Sequence, residues 1–344
     1  MYGPNNGVVL YHYSFSPIAR RVLWYLSLRG IDYAEPDVAA LGIKYRRIPL
    51  MAIGRDVYCD SRIILRKLEA LFPNSTLSAP NGEAKAVEKL FEIWNMEAGL
   101  FPRASQLIPT SMPLLNDPHF TKDREDYSGR SWSKEQIEAN RPEALAAIRS
   151  AFNVLETTLL ADGRDWVLKT NHPTLADIEG KQEVHCVTIN PLMQVPKAIW
   201  TFDWLNGLKG ALPWELISDK KYPKVFAWIA RFNDALKAAK AKAPKPATLK
   251  GDVAAERILS AAFVEKDLAV DPADPLGLEP GAEVEVFPID SGTHHRDQGR
   301  LIGLTEDEIV LSIQAQGQEL HLHYPRAGFR IRAVAATGRT PSKL

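Results

Sequence analysis

The tripeptide His321-Leu322-His323 places two imidazoles two residues apart. In an extended chain that spacing puts both on one strand face, an arrangement able to hold a metal ion. His294-His295 and Asp297 lie one segment earlier, where a neighbouring strand could bring them close. Nothing in the spacing demands an ion, and the reading assigns no metal. A second group of polar residues stands at helix starts. Ser16 precedes Pro17, Asp60-Ser61 precedes a helical run, and Thr174-x-x-Asp177 has the form of a capping box. A hydroxyl or N–H at such a position either caps its own helix or holds an anion against the positive end of the helix dipole. Pro49 sits inside the apolar run Ile48–Ile53, where it removes a ladder donor.

The elements that must position these residues fall into three regions. Residues 1–78 read as strand (Val8–Tyr13), helix from Ser16-Pro17, strand (Tyr33–Ala39), strand (Ile48–Ile53), strand (Val57–Cys59) and a helix from Asp60-Ser61 to Phe72. This β-α-β-β-β-α order describes a compact α/β domain. Residues 83–243 show helical periodicity over Ala84–Phe101, Glu135–Leu160, Leu175–Cys186 and Tyr222–Lys240. The polar stretch Pro109–Ser133 between them reads as a mobile loop or lid. Residues 244–280 form a linker with a short helix at Val253–Phe263. Residues 281–336 alternate with period two in five short segments, the pattern of a small all-β domain of SH3-like size. Residues 337–344 form a flexible tail.

Four ordered segments resemble the glutathione transferase superfamily. Leu10–Val22 is similar to the strand–Ser-Pro–helix opening of tau- and zeta-like members, and Arg47-Ile48-Pro49-Leu50 to the cis-proline strand. Asp60-Ser61-Arg62-Ile63-Ile64 resembles the acidic-Ser helix start, and Thr174-Leu175-Ala176-Asp177-Ile178 the capping motif of the helical domain; Tyr222–Ala230 is similar to a late helix. The resemblance implies a thioredoxin-like domain, an all-helical second domain and glutathione as co-substrate. It also implies a homodimer.

What the resemblance assigns can be weighed residue by residue. A thiol with a free pKa of about 8.5 is mostly un-ionised at neutral pH. A hydroxyl donor at a helix N-terminus favours the thiolate, and one charge-assisted bond supplies roughly one or two pKa units. Ser16 takes the place of the catalytic serine, against the simpler reading of an N-cap; Ser14 and Tyr11 are alternative donors. Ile48 before Pro49 would offer its main chain to the cysteinyl part. Asp60 and Ser61 would hold the γ-glutamyl end, and Arg47 would face the glycyl carboxylate. Trp94, Phe101 and Leu107 would line a pocket for an apolar electrophile. Thr174 and Asp177 are structural caps. One departure stands out: Asp37–Arg46 leaves almost no room for the helix that normally precedes the cis-proline strand.

Composition sets the remaining bounds. The 344 residues carry 42 Lys+Arg against 42 Asp+Glu, a balance that argues against nucleic acid or an anionic membrane as main partner. Two cysteines, Cys59 and Cys186, make no disulfide framework. No stretch approaches the ~20 apolar residues of a membrane span. The last residues, Ser342-Lys343-Leu344, match a peroxisomal address. The expectation is therefore a peroxisomal protein (otherwise cytoplasmic), with the import receptor as a partner. Its expected activity is that of a glutathione-dependent transferase or cis-trans isomerase. The alternative is a non-catalytic scaffold whose C-terminal β region binds a partner.

Overall fold

In the computed structural model, residues 7–12, 16–36, 41–97, 99–180 and 210–334 are described. They divide into two compact units. One comprises residues 1–12, 33–66 and 246–344, the other 13–32 and 67–245.

The first unit is organised by one sheet. β1 (Val8–Tyr11) pairs in parallel with β2 (Ala34–Pro36) and antiparallel with β3 (Leu50–Ile53). A tight turn at Gly54 then leads from β3 into β4 (Asp56–Cys59). Gly54 has φ of 60°, and a Cβ there would lie 2.2 Å from the Ala262 carbonyl oxygen, so both conformation and space require glycine. β5 (Ala247–Leu249) adds to β2, and α9 (Gly251–Leu259) follows it.

The five alternating segments near the C-terminus are all strands: β6 (Glu283–Pro288), β7 (Asp297–Leu304), β8 (Glu308–Ala315), β9 (Gln318–Pro325) and β10 (Phe329–Ala333). They do not stand apart from the first sheet. β9 lies parallel to β4, with Asp56 opposite His321, Val57 opposite Leu322 and Tyr58 opposite His323. One ten-stranded sheet results, in the order β10-β6-β7-β8-β9-β4-β3-β1-β2-β5. β4 is therefore an interior strand, and all four of its residues are buried. Its apolar side chains share a core with the new strands. Val9, Ala52, Val57 and Cys59 cluster with Val284, Leu301, Leu311, Leu322 and Tyr324.

The short segment before β3 is held from the same side. No helix forms over residues 41–47. The Lys44 and Tyr45 main-chain N–H groups instead donate to the two Asp297 carboxylate oxygens, at 2.6 and 3.0 Å, and the Tyr324 hydroxyl donates to the second of these at 2.8 Å. The Tyr45 ring packs between Tyr324 and Phe329. Asp297 is thereby a structural carboxylate and makes no contact of the kind a metal would need from it. His295 faces Arg46 at 3.4 Å.

The second unit is helical. α1 (Pro17–Arg29) is capped by Ser16 and stopped by Gly30 in a left-handed conformation. α2 (Ser61–Leu71) runs on from the first unit; α3 (Gly82–Met96), α4 (Leu100–Ser105), α6 (Lys134–Val154), α7 (Leu175–Gly180) and α8 (Pro223–Lys242) build the bundle. The stretch Pro109–Ser133, expected to be a mobile loop, contains a 3₁₀ turn at Pro113–Asn116 and a helix, α5 (Pro118–Ser128). Asp117 caps that helix and Gly129 ends it, punctuation strong enough to overcome its polar composition. The helix expected at Leu175–Cys186 is α7 as far as Gly180; Cys186 lies outside the described residues.

Candidate functional site

Ser16 is almost fully covered and accepts the Ala19 N–H at 3.2 Å through its hydroxyl oxygen. It therefore does cap α1. The cap uses one lone pair, however, and a serine hydroxyl keeps its hydrogen to donate elsewhere. Capping and donation to an anion are compatible at this residue. Tyr11 has a buried hydroxyl without a hydrogen-bond partner among the described residues, and burial pushes its pKa well above the ordinary phenol value. It stays protonated and can only donate to an anion. Ser14 lies outside the described residues.

In the first unit the Ile48–Pro49 peptide is cis. Asp60, at the end of β4, adopts φ of 91°, a left-handed conformation uncommon for a residue with a Cβ. Its surroundings account for that conformation. One carboxylate oxygen accepts the Arg62 main-chain N–H at 3.0 Å and Nε at 3.1 Å, and the other accepts Nη2 at 3.3 Å. Both partners are buried. Burial alone would raise the Asp60 pKa, but the Arg62 guanidinium outweighs it and holds the group below the usual carboxylate range. Ser61, fully buried, begins α2. Arg47 donates to the Asp290 carboxylate and to the Ser291 carbonyl. The chain's own C-terminal region thus occupies the guanidinium that the resemblance assigns to a glycyl carboxylate.

The apolar residues belong to the second unit. Trp94 is half-buried on α3 with its ring edge-on to Phe91; Phe101 is half-buried on α4, and Leu107 is fully buried just beyond it. Thr174 and Asp177 form the expected cap. Asp177 accepts the Thr174 main-chain N–H and hydroxyl, both at 2.9 Å, while its other oxygen accepts the Val167 N–H and the Trp228 indole N–H, also at 2.9 Å. Four donors on one buried carboxylate make this a structural joint.

A polar cluster that the sequence reading did not assemble lies where β4 meets β9. His321 and His323 do share a face, and the residue they meet is Asp56, not Asp297. Asp56 Oδ1 is 3.2 Å from His321 Nδ1 and 3.0 Å from His323 Nε2. Its Oδ2 accepts the main-chain N–H groups of Val264 and Glu265 at 2.6 and 3.1 Å. His323 Nδ1 faces Glu308 at 2.7 Å, and the Tyr58 hydroxyl donates to Glu265 at 2.8 Å. Burial alone would lower the His323 pKa, yet the bonds to Asp56 and Glu308 raise it above the ordinary histidine value. Asp56 gave no sign of this role in the sequence, because a parallel pairing across more than two hundred residues has no local signal.

Residues 10–76 match the family described as glutathione S-transferase, N-terminal domain. Residues 103–241 match a domain of unknown function, DUF7962. Among solved structures, a GST-like protein from Pseudomonas syringae is 21% identical with a TM-score of 0.62, covering 95% of this chain and 99% of its own. This is a glutathione S-transferase fold. The correspondence with the Pseudomonas protein extends over nearly all of both chains, so the appended β strands belong to the shared architecture. A glutathione S-transferase from Rhodospirillum rubrum is 18% identical, covering 70% of this chain and 94% of its own, with a TM-score of 0.43. A maleylacetoacetate isomerase from Anaeromyxobacter dehalogenans, solved with dicarboxyethyl glutathione and citrate in the active site, is 19% identical over 70% of this chain and 94% of its own, with a TM-score of 0.41. A comparison with curated protein sequences returns no match. Among the described residues, no helix is long and apolar enough to cross a membrane.

Proposed function

We propose that the chain is a glutathione-dependent transferase or cis-trans isomerase acting on an apolar electrophile, with Ser16 as donor to the thiolate. The observation that carries this reading is the transferase-domain match over residues 10–76, which spans Ser16, Pro49, Asp60 and Ser61 together. The Ser16 hydroxyl retains a hydrogen after capping α1, and the α1 dipole lies behind it. The thiolate adds to an electrophilic carbon; release of the adduct is conjugation, and re-expulsion of the thiol after bond rotation is isomerisation. Calorimetric titration of wild type and Ser16→Ala with glutathione, with thiolate ultraviolet absorbance read on the same samples, tests the proposal. Binding with a thiolate signal that vanishes in Ser16→Ala is expected. Absence of binding at millimolar glutathione refutes it.

A second reading has its own support. The engagement of Arg47 by Asp290 and Ser291 removes one expected ligand contact, which suits a scaffold that has kept the fold without the chemistry. Glutathione binding without any thiolate signal in wild type would favour the scaffold. Peroxisomal import through Ser342-Lys343-Leu344 and a homodimer complete the enzyme reading. Deleting the tripeptide from a fluorescent fusion should abolish import, and sedimentation should give twice the chain mass.

A further inference from the structure

We propose that Asp56, His321 and His323 form a binding site for a divalent transition-metal ion of the zinc class, which fastens β9 to β4. The site is independent of the glutathione reading.

The donor atoms have the right chemistry and spacing. Two imidazole nitrogens and one carboxylate oxygen are a common zinc set, and three protein ligands leave a position for solvent. Tetrahedral ligands about 2.05 Å from an ion lie about 3.3 Å from one another. Asp56 Oδ1 stands 3.2 and 3.0 Å from the two nitrogens, and all three atoms fall within 4.8 Å of each other. The parallel register fixes this arrangement, because Asp56 is the direct partner of His321 and the histidines alternate along β9.

The surrounding groups orient these ligands. Asp56 Oδ2 is tied to two main-chain N–H groups, which aims Oδ1 at the imidazoles. Glu308 faces His323 Nδ1 at 2.7 Å; with that nitrogen protonated, Nε2 keeps a lone pair for an ion held between it and Asp56. A carboxylate behind a ligating histidine is the usual outer partner of zinc sites. Phe263 stacks on His321 with ring centres 3.8 Å apart and holds its plane.

Charge points the same way. Three carboxylates surround His323: Asp56 at 3.0 Å, Glu308 at 2.7 Å and Glu265 at 3.9 Å. Arg66 lies 3.6 Å from Glu308 at the edge of the group. Carboxylates this close to the imidazoles favour a cation bound among them.

The experiment uses the full chain. Zinc content is measured on protein purified from zinc-supplemented medium, and melting is followed before and after chelation and on re-addition of Zn²⁺ or Co²⁺. About one zinc per chain is expected, with a melting temperature that falls on chelation and recovers with metal. Co²⁺ should give visible ligand-field bands. His321→Gln, chosen because His321 retains some exposure and its loss perturbs the core least, should weaken Co²⁺ binding at least 100-fold. Glu308→Gln should retain the bands and weaken binding about 10–100-fold. The proposal is overturned by substoichiometric zinc with no rise in melting temperature on metal addition, or by uptake equal in wild type and His321→Gln. In the first case protons alone neutralise the cluster; in the second the metal sits elsewhere.

Discussion

Strand β4 begins and ends beside a buried aspartate, and the two are neutralised by different means. Asp60, just past its C-terminal end, is gripped by one arginine through three hydrogen bonds. Asp56, at its start, is held by two main-chain N–H groups on one oxygen and faces two histidines with the other. A guanidinium is always charged and cannot be exchanged. An imidazole can give up its proton and bind a metal instead. The C-terminal end of β4 is a closed structural pair, whereas its start is an adjustable site. Of the two, only Asp60 is given a ligand role by the sequence resemblance.

The largest effect is expected from opening the closed pair. Arg62→Met leaves the Asp60 carboxylate buried without its cation, a change that costs about 3–5 kcal/mol in typical buried pairs. Urea denaturation of the two proteins measures it. Asp60→Asn combined with Arg62→Met should recover part of the loss; a loss in Arg62→Met below about 1 kcal/mol would mean that solvent reaches Asp60. The pH dependence has a definite sign. Asp60 is held below its unfolded value of about 3.9, so the stabilisation is complete above that pH and disappears as pH falls through the folded value. In Arg62→Met burial is opposed only by the main-chain N–H at that position and the more distant charge of Arg47, and the contribution should shrink or change sign.

A smaller effect tests how firmly Arg62 is pinned. Gly328 has φ of 75°, and a Cβ there would stand 2.6 Å from Arg62 Nη2 and 3.0 Å from Nη1. Gly328→Ala must pay the left-handed backbone conformation, about 1–2 kcal/mol, and also displace the guanidinium. Denaturation should place it below Arg62→Met. A loss no larger than the backbone's about 1–2 kcal/mol would show that the arginine moves freely.

The same contrast explains what could be read from the chain alone. Strand and helix positions were legible because each carries local punctuation: Ser16-Pro17, Gly54, Thr174-x-x-Asp177 and the period-two runs after residue 283. α5 was missed because its polar composition hid a helix marked only by Asp117-Pro118 and Gly129. The Asp56 cluster and the Arg47 pairing were missed for a different reason. Each depends on which strand lies beside β4, and pairing over 265 residues leaves no periodic trace. His321 and His323 were visible as a pair, but their partner had to wait for the register.

A partly buried carboxylate on α3 sharpens the contrast, because a main-chain N–H rather than a side-chain cation meets it. Glu88 on α3 accepts the Ala79 N–H at 3.0 Å. Burial pushes its pKa up to about 7, against the lowering effect of that bond, and Glu179, Glu69 and Glu92 add to the rise. The sign is opposite to Asp60. Between the unfolded value of about 4.3 and about 7 the folded state binds more protons, so stability falls as pH rises through that window. Partial exposure keeps the effect to about 1 kcal/mol or less. Melting curves from pH 4 to 8 should show this slope in wild type and a flatter one in Glu88→Gln; equal slopes would remove Glu88 as the cause.

The smallest stability effect is expected at Arg47, and it bears most directly on the ligand. Asp290 is 65% exposed, so the pair is worth less than about 1 kcal/mol. Arg47→Ala should therefore melt close to wild type. Its effect on glutathione affinity distinguishes two uses of the residue. With Arg47 committed to Asp290 and Ser291, affinity changes less than about twofold, which is a few tenths of a kcal/mol. A loss of about tenfold would show that a glycyl carboxylate draws Arg47 away from the C-terminal region. In that event Asp290→Asn, which removes the competing charge, should tighten binding. Tightening in Asp290→Asn together with loss in Arg47→Ala would make the C-terminal strands a brake on the thiol site, while no change in either would leave Arg47 a fastener of the fold.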